Sequence, residues 1–151
     1  MKFYGLMFVL CFATLSTCLP VDKSVEVEVF SSESEILKKY PQAKPADKTH
    51  IDDGKATYEF GERVQGDKLM VGATDVYNAP TRQDVALKFN FPGKVPYSVT
   101  YASVEVLQDS EVGQAFIVSG GIGQSEIHLA VVADKIKQVQ YTYEIYAIVY
   151  V

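Results

Sequence analysis

The sequence is poor in the residues that most often carry chemistry or cross-links. It has no tryptophan, two cysteines and two histidines among 151 residues. Both cysteines, Cys11 and Cys18, fall within the first 18 residues, so a chain without that segment has no thiol, no disulfide and no thiolate metal site. Without the first 18 residues the chain has about 130 residues, which is long enough to hold one hydrophobic core without cross-links. The sequence therefore predicts a disulfide-free domain that packing alone stabilises.

Positive charge is scarce and scattered. Lysine and arginine number 14 against 19 acidic residues, which gives a net charge of −5, and the longest basic run is Lys38-Lys39. Nucleic-acid-binding proteins present clustered basic residues, and import signals are longer basic runs. The sequence therefore predicts no direct contact with nucleic acid. It also lacks the Asn-x-Ser/Thr acceptor of N-glycans.

The amino-terminal segment has the organisation of a secretory signal peptide. Lys2 precedes about a dozen apolar residues, fewer than the roughly 20 that span a bilayer. The small residues Ser16-Thr17-Cys18 follow, so that positions −3 and −1 of a cleavage site after Cys18 are small, as signal peptidase sites require. We therefore expect residues 1–18 to be a signal peptide and the released chain to be secreted, extracellular and free of the membrane. A buried helix or a membrane anchor is the alternative.

Residues 19–55 form a polar amino-terminal segment. Within it, Val25-Glu26-Val27-Glu28-Val29 alternates strictly, which predicts a short strand with one buried face. Ser32-Glu33-Ser34-Glu35 has capping-box spacing and predicts a brief helix near residues 33–40. Residues 41–55 have the composition of an exposed loop.

Residues 56–151 carry one strand pattern after another and are expected to form a β-domain. β-Branched and aromatic residues dominate these runs, and turn residues separate them. This spacing predicts an all-β fold, an antiparallel β-sandwich or a barrel-like single domain. The predicted strands are 57–60, 68–71, 85–91, 97–107, 114–118, 126–132 and 138–149.

The most conspicuous motif is Ser119-Gly120-Gly121-Ile122-Gly123. A phosphate-binding loop would continue into Lys-Ser/Thr and a helix, whereas Gln124-Ser125 and a strand follow here. We therefore interpret the glycines as a tight connection between two strands, in which they adopt positive φ.

The sequence predicts no catalytic, cofactor-binding or metal-binding residues. His50 lies near Asp52 and Asp53, but zinc sites need three or four convergent ligands. His128 falls on the solvent-facing side of a strand. No Gly-x-Ser-x-Gly nucleophile motif is present. We therefore expect the protein not to be an enzyme.

Ten tyrosines are the remaining feature. They could line a ligand cavity or an interface, since tyrosine is favoured at both. Aromatic residues are also good strand formers, and that interpretation is preferred. Two tyrosines belong to the predicted strand 97–107, and four lie in or directly after the last predicted strand: Tyr97 and Tyr101, then Tyr141, Tyr143, Tyr146 and Tyr150.

Five segments in order resemble the insect multiprotein bridging factor 2 family, over residues 58–147. Phe60-Gly61-Glu62-Arg63-Val64-Gln65-Gly66-Asp67-Lys68-Leu69-Met70 resembles the family's "hydrophobic, Gly, x, Arg, …, Gly-Asp, x, Leu" segment. Residues 101–109 resemble its central strand, and residues 113–123 its Gly-Gly-x-Gly hairpin. Residues 127–132 and 139–146 resemble its two closing strands.

The resemblance implies two different roles. The family takes its name from a transcription co-activator that bridges a nuclear receptor and the basal transcription machinery, while many relatives resemble secreted proteins of saliva, venom, haemolymph or cuticle. With the signal segment, our leading hypothesis is a secreted, non-enzymatic domain that binds an unidentified protein or small ligand. The alternatives are the nuclear co-activator and a lipocalin-like carrier of a hydrophobic ligand.

Overall fold

Strands make up most of the computed structural model, which describes residues 25–30, 33–93, 96–110 and 113–150. The predicted signal segment lies outside these residues. In chain order the elements are β1 (Val25–Phe30), α1 (Glu33–Lys39), β2 (Lys44–Pro45), β3 (Lys48–Asp52), β4 (Lys55–Gly61), β5 (Lys68–Phe91), β6 (Tyr97–Gln108), β7 (Gln114–Gly120) and β8 (Ile127–Val149).

All eight strands belong to one antiparallel sheet, in the order β1-β5-β8-β6-β4-β3. Strand β7 pairs with the first part of β8, and β2 pairs with β7. The predicted all-β antiparallel fold with one short helix is therefore confirmed. The sheet does not close into a barrel.

Each of the two longest strands was predicted as two shorter ones. Strand β5 continues through residues 72–84, and β8 through residues 133–137. Register shifts near Gln83 mark a corner, where Lys135 has a φ of 49°. Side chains satisfy the backbone there: Asp84 accepts from the N–H of Lys135 at 2.8 Å, and Asp109 from that of Lys137 at 3.0 Å. The polar residues that suggested loops therefore line a bend within continuous strands.

The bend folds the sheet onto itself. Phe89 pairs with Leu129, and Tyr141 lies 12 residues further along β8, about 40 Å away if that strand were straight. The rings of Phe89 and Tyr141 are nevertheless only 5.4 Å apart, centroid to centroid. The two ends of one sheet thus face each other as the layers of a sandwich.

We name the two layers half-sheet A and half-sheet B. Half-sheet A contains β3, β4, β6, the first part of β5 and the last part of β8. Half-sheet B contains β1, β2, β7 and the other parts of β5 and β8. The core between them consists of inward-facing side chains that alternate along each strand, including Tyr58, Phe60, Val85, Leu87, Phe89, Val104, Ile127, Leu129, Tyr143 and Ile145.

The predicted helix is present and covers the outer face of half-sheet B. Ile36 is fully buried and packs with Ala86, Phe116 and Val132. Lys38 and Lys39 lie in the last turn, where cations interact favourably with the helix dipole. A helix of about two turns is thus enough to give half-sheet B a second hydrophobic cluster.

The prediction of a loop over residues 41–55 is wrong, because β2 and β3 lie within it. Every residue of β3 is exposed, so the strand shows no alternation of polar and apolar residues. Its hairpin to β4 turns at Asp53 (φ 43°) and Gly54 (φ 80°). An Asp-Gly pair with positive φ at both residues is a favoured two-residue hairpin turn, and this signal was present in the sequence.

Candidate functional site

The glycine-rich segment connects two strands, as predicted. Gly120, Gly121 and Gly123 all have positive φ, at 65°, 146° and 82°. A Cβ on Gly120 would lie 2.3 Å from the carbonyl oxygen of Glu126, a distance that forces the backbone apart. The backbone geometry of the β7–β8 connection therefore requires glycine. Strand β8 follows these glycines, where a phosphate-binding loop would continue into a helix.

The two histidines lie apart and each has a polar neighbour. Nδ1 of His128 lies 2.8 Å from Oδ1 of Asn90, on the outer face of half-sheet B. Nε2 of His50 lies 3.6 Å from a carboxylate oxygen of Glu59, at the exposed edge of half-sheet A. Among the described residues, no three histidine, cysteine, aspartate or glutamate side chains are grouped as a metal site requires.

The tyrosines divide between the core and the surface. Tyr58, Tyr141 and Tyr143 are at most 6% exposed and belong to the core, as the strand-former interpretation expects. Burial raises the pKa of Tyr58 to about 12, so its hydroxyl stays protonated and donates to the carbonyl of Gly113 at 2.9 Å. Tyr101 and Tyr146 are instead partly exposed on the outer surface of half-sheet A.

This outer surface of half-sheet A is the candidate site. Among the described residues no element packs on it, whereas α1 covers the equivalent face of half-sheet B. Its middle strands present tyrosine, glutamate, threonine and serine in cross-strand rows. The face consists of Leu69, Gly72, Thr74 and Val76 of β5, Gln140, Thr142, Glu144 and Tyr146 of β8, Tyr101, Ser103, Glu105 and Leu107 of β6, and Lys55, Thr57 and Glu59 of β4.

Two neighbouring bulges create one end of the face. Register shifts occur between Leu69 and Val71 in β5 and between Val99 and Tyr101 in β6, on either side of β8. Each extra residue reverses the alternation of its strand. As a result Leu69 and Tyr101 both lie beside Tyr146 on the outer face.

An arginine–aspartate pair fixes the adjoining β4–β5 turn. Arg63 donates to Asp67 through Nε and Nη2, with the shortest contact at 2.7 Å, and its guanidinium lies 3.5 Å from the ring centroid of Tyr146. Asp67 also accepts from the Val64 N–H at 3.0 Å, and its side chain is only 2% exposed. The Arg63 hydrogen bonds, followed by that N–H and the Thr100 hydroxyl, lower the pKa of Asp67.

Three carboxylates occupy the centre of the face. Glu59 and Glu144 both lie opposite Ser103, on its two sides, and Glu105 follows two residues along β6. The hydroxyl of Tyr101 donates to Glu59 at 2.6 Å, and burial together with that bond raises the pKa of Tyr101 to about 12. Sequence reasoning missed this group because its members come from three strands.

A groove of about 230 Å³ lies at the other end of the face. Its apolar walls are Val76 and Leu107, which are 43% and 49% exposed. Both residues pair with Gln140, on opposite sides of it. The remaining lining residues are Gln108, Asp109, Gln138 and Gln140.

Fold and surface together define an all-β domain that presents one open, polar and aromatic sheet face. The family model "Transcription activator MBF2" matches residues 60–147, more than half of the chain, and the protein belongs to this family. No curated protein and no solved structure matches the chain. None of the described helices has the length and apolarity that crossing a membrane requires.

The family match corrects the expected location. A family of transcription activators points to a nuclear or intracellular protein, so the prediction of a secreted, extracellular one is wrong. The expected signal peptide, residues 1–18, lies outside the described residues and stays a prediction. The lipocalin-like alternative also loses support, since that class of carrier encloses its ligand in a closed barrel.

Proposed function

We propose that this protein is a non-enzymatic transcription co-activator that bridges a nuclear receptor and the basal transcription machinery. The observation that carries the proposal is the match to the transcription-activator family over residues 60–147. This span includes the β4–β5 turn, the bulges and two of the three central carboxylates, Glu105 and Glu144. It therefore takes in most of the exposed face of half-sheet A.

The charge of the chain supports action through protein partners. With a net charge of −5 and no basic run longer than Lys38-Lys39, the chain lacks the clustered cations that neutralise phosphates. A co-activator of this kind reaches a promoter through other proteins. It then needs binding surfaces rather than a catalytic centre.

A reporter assay tests the proposal. The full chain is expressed in cells that carry a nuclear-receptor-driven reporter gene, and transcription is measured with and without the receptor. We expect reporter output to rise only when both are present, and the chain to appear in the nuclear fraction. Unchanged output with the chain present in nuclei, or its absence from nuclei, would contradict the proposal.

A bridging role makes a second, separable expectation. Immunoprecipitation of the full chain from nuclear extract should recover the receptor and a basal transcription factor together. Recovery of neither protein from an extract that contains both would exclude bridging.

A further inference from the structure

We propose that the outer face of half-sheet A binds an extended segment of a partner protein. The partner's lysine or arginine lies among Glu59, Glu105 and Glu144, and an aliphatic side chain lies between Val76 and Leu107. The inference rests on the proposed function, because it names the surface and the partner chemistry through which the co-activator would act.

The carboxylates are spaced to surround one cationic group. Neighbouring strands lie about 4.8 Å apart, so Glu59 and Glu144, on the two sides of Ser103, have backbones about 10 Å apart. Glu105 is two residues from Ser103 along the same strand, about 7 Å away. Ser103 lies between Glu59 and Glu144, and its short side chain is a hydrogen-bond neighbour of the Tyr101 hydroxyl.

These charges serve no core packing, because the face is uncovered among the described residues. None of the three carboxylates lies directly opposite another, so their mutual repulsion is limited and the group can form on this face. Lys55 pairs with Glu105 at 2.9 Å, and Lys48, which lies opposite Glu59, reaches Glu62 at 3.8 Å; both lysines lie at the rim and are about half exposed. The imidazole of His50 lies 3.6 Å from Glu59. The centre of the face therefore keeps an excess of negative charge that complements a cation.

Tyrosine hydroxyls hold two of the carboxylates in place. Tyr101 donates to Glu59 at 2.6 Å, and Tyr146 donates to Glu144 at 3.2 Å. The two rings lie 6.0 Å apart, and the guanidinium of Arg63 stacks on Tyr146. A preorganised acidic surface loses less side-chain entropy when a partner binds.

The groove supplies the second contact at a defined distance. Leu107 lies four residues along β6 from Ser103, which corresponds to about 13 Å. A peptide that lies extended along the strands covers this distance in about four residues. The amide side chain of Gln140 lines the groove and can hydrogen-bond to a peptide backbone, whereas that of Gln138 already donates to Asn78 at 2.9 Å. The face therefore favours a cation and an aliphatic residue about four positions apart.

A peptide titration of the full chain tests this arrangement. The probe is a capped ten-residue glycine–serine peptide that carries one arginine and, four residues later, one leucine. Binding is followed through backbone amide shifts in NMR spectra, and the shifts are expected at Ser103, Thr142 and Leu107. Glu144→Gln is expected to weaken binding about threefold, whereas Glu126→Gln removes one carboxylate from the β7–β8 connection and leaves binding unchanged.

Changes in the probe separate the two contacts. Replacing its arginine by glutamine, or raising the salt concentration to 0.3 M, should abolish most of the effect of Glu144→Gln, because exposed charges are then absent or screened. Replacing its leucine by serine should remove the shift at Leu107 and make the probe insensitive to Val76→Thr. Unperturbed spectra of the free variants serve as the folding control.

Several outcomes would overturn the inference. They are shifts that cluster away from half-sheet A, equal weakening by the Glu144 and Glu126 variants, or no shift at millimolar peptide. If these occur while the wild-type chain still activates the reporter, the assigned surface is wrong and the proposed function stands. If the wild-type chain binds the peptide but never activates the reporter, the assigned surface stands and the proposed function is wrong.

Discussion

The β7–β8 connection offers a direct test of whether the glycines are structural. Gly120→Ala and Gly123→Ala place the same methyl group at two residues of similar φ, 65° and 82°. At Gly123 no atom lies within 4 Å of the new Cβ, so only the backbone conformation opposes it. At Gly120 the new Cβ meets the carbonyl oxygen of Glu126 at 2.3 Å.

The expected magnitudes follow from these distances. A residue with a Cβ in the left-handed region costs about 1–2 kcal/mol relative to glycine, and both variants bear this cost. Gly120→Ala must also move the Glu126 carbonyl, which accepts from the Gly121 N–H at 2.9 Å. Losing that buried hydrogen bond adds about 1–3 kcal/mol. We therefore expect the free energy of unfolding of Gly120→Ala to be about 2 kcal/mol lower than that of Gly123→Ala.

Urea unfolding followed by far-ultraviolet circular dichroism measures the difference, since the chain has no tryptophan. With a slope of about 2 kcal/mol/M, the two midpoints should differ by about 1 M. Equal midpoints would refute the steric argument. A midpoint for the unaltered protein that rises with millimolar pyrophosphate, and no longer does so in Gly123→Ala, would instead indicate a phosphate-binding loop.

Three further substitutions test separate parts of the structure. The folded-state pKa of Asp67 is lowered, so its carboxylate stabilises the fold above about pH 4, and this contribution is lost as the pH falls through the folded-state pKa. In thermal unfolding, Asp67→Asn should be less stable than the unaltered protein at pH 7, and the difference should shrink in acid. A difference that does not change with pH would contradict the pairing with Arg63. Tyr58→Phe removes the hydrogen bond to Gly113 and should cost about 1 kcal/mol in urea unfolding, and an unchanged midpoint would show that the bond does not contribute. Ile36→Ala leaves a cavity between α1 and half-sheet B and should cost about 2–4 kcal/mol, with faster hydrogen exchange at the Tyr40 amide, which donates to the Ile36 carbonyl; unchanged exchange would mean that the helix does not depend on this side chain.

The core strands could be predicted because burial leaves a local mark. In β8, every second residue from Tyr141 to Val149 lies on one face by alternation. Tyr141, Tyr143, Ile145 and Ala147 are buried there, and Val149 at the end of the strand is partly buried. Strand β3 shows no alternation of apolar and polar residues, because all its residues are exposed. The Asp-Gly turn after it was the one sequence signal that indicated a strand there. The corner of β5 and β8 was hidden for the opposite reason, because polar side chains there bind backbone groups of a continuous strand.

The candidate face could not be predicted, because one inserted residue decides which side chains it contains. Strict alternation places Tyr97 and Tyr101 on the same side of β6, four residues apart. The register shift between Val99 and Tyr101 breaks that pattern, so Tyr97 lies with Val149 toward the core side and Tyr101 lies with Tyr146 outside. A bulge depends on the partner strands, and those lie far away in the sequence. Glu59, Ser103 and Glu144 likewise meet only through the register of three strands, which no local pattern encodes. Deleting Thr100 removes the extra residue and makes Val99 and Tyr101 direct neighbours, so the same pairs with Ala147 and Tyr146 can form in a regular strand. We therefore expect Tyr101 to stay on the outer face and peptide binding to persist, while the hydrogen bond from Thr100 to Asp67 is lost; loss of binding in a folded deletion variant would contradict this account of the bulge.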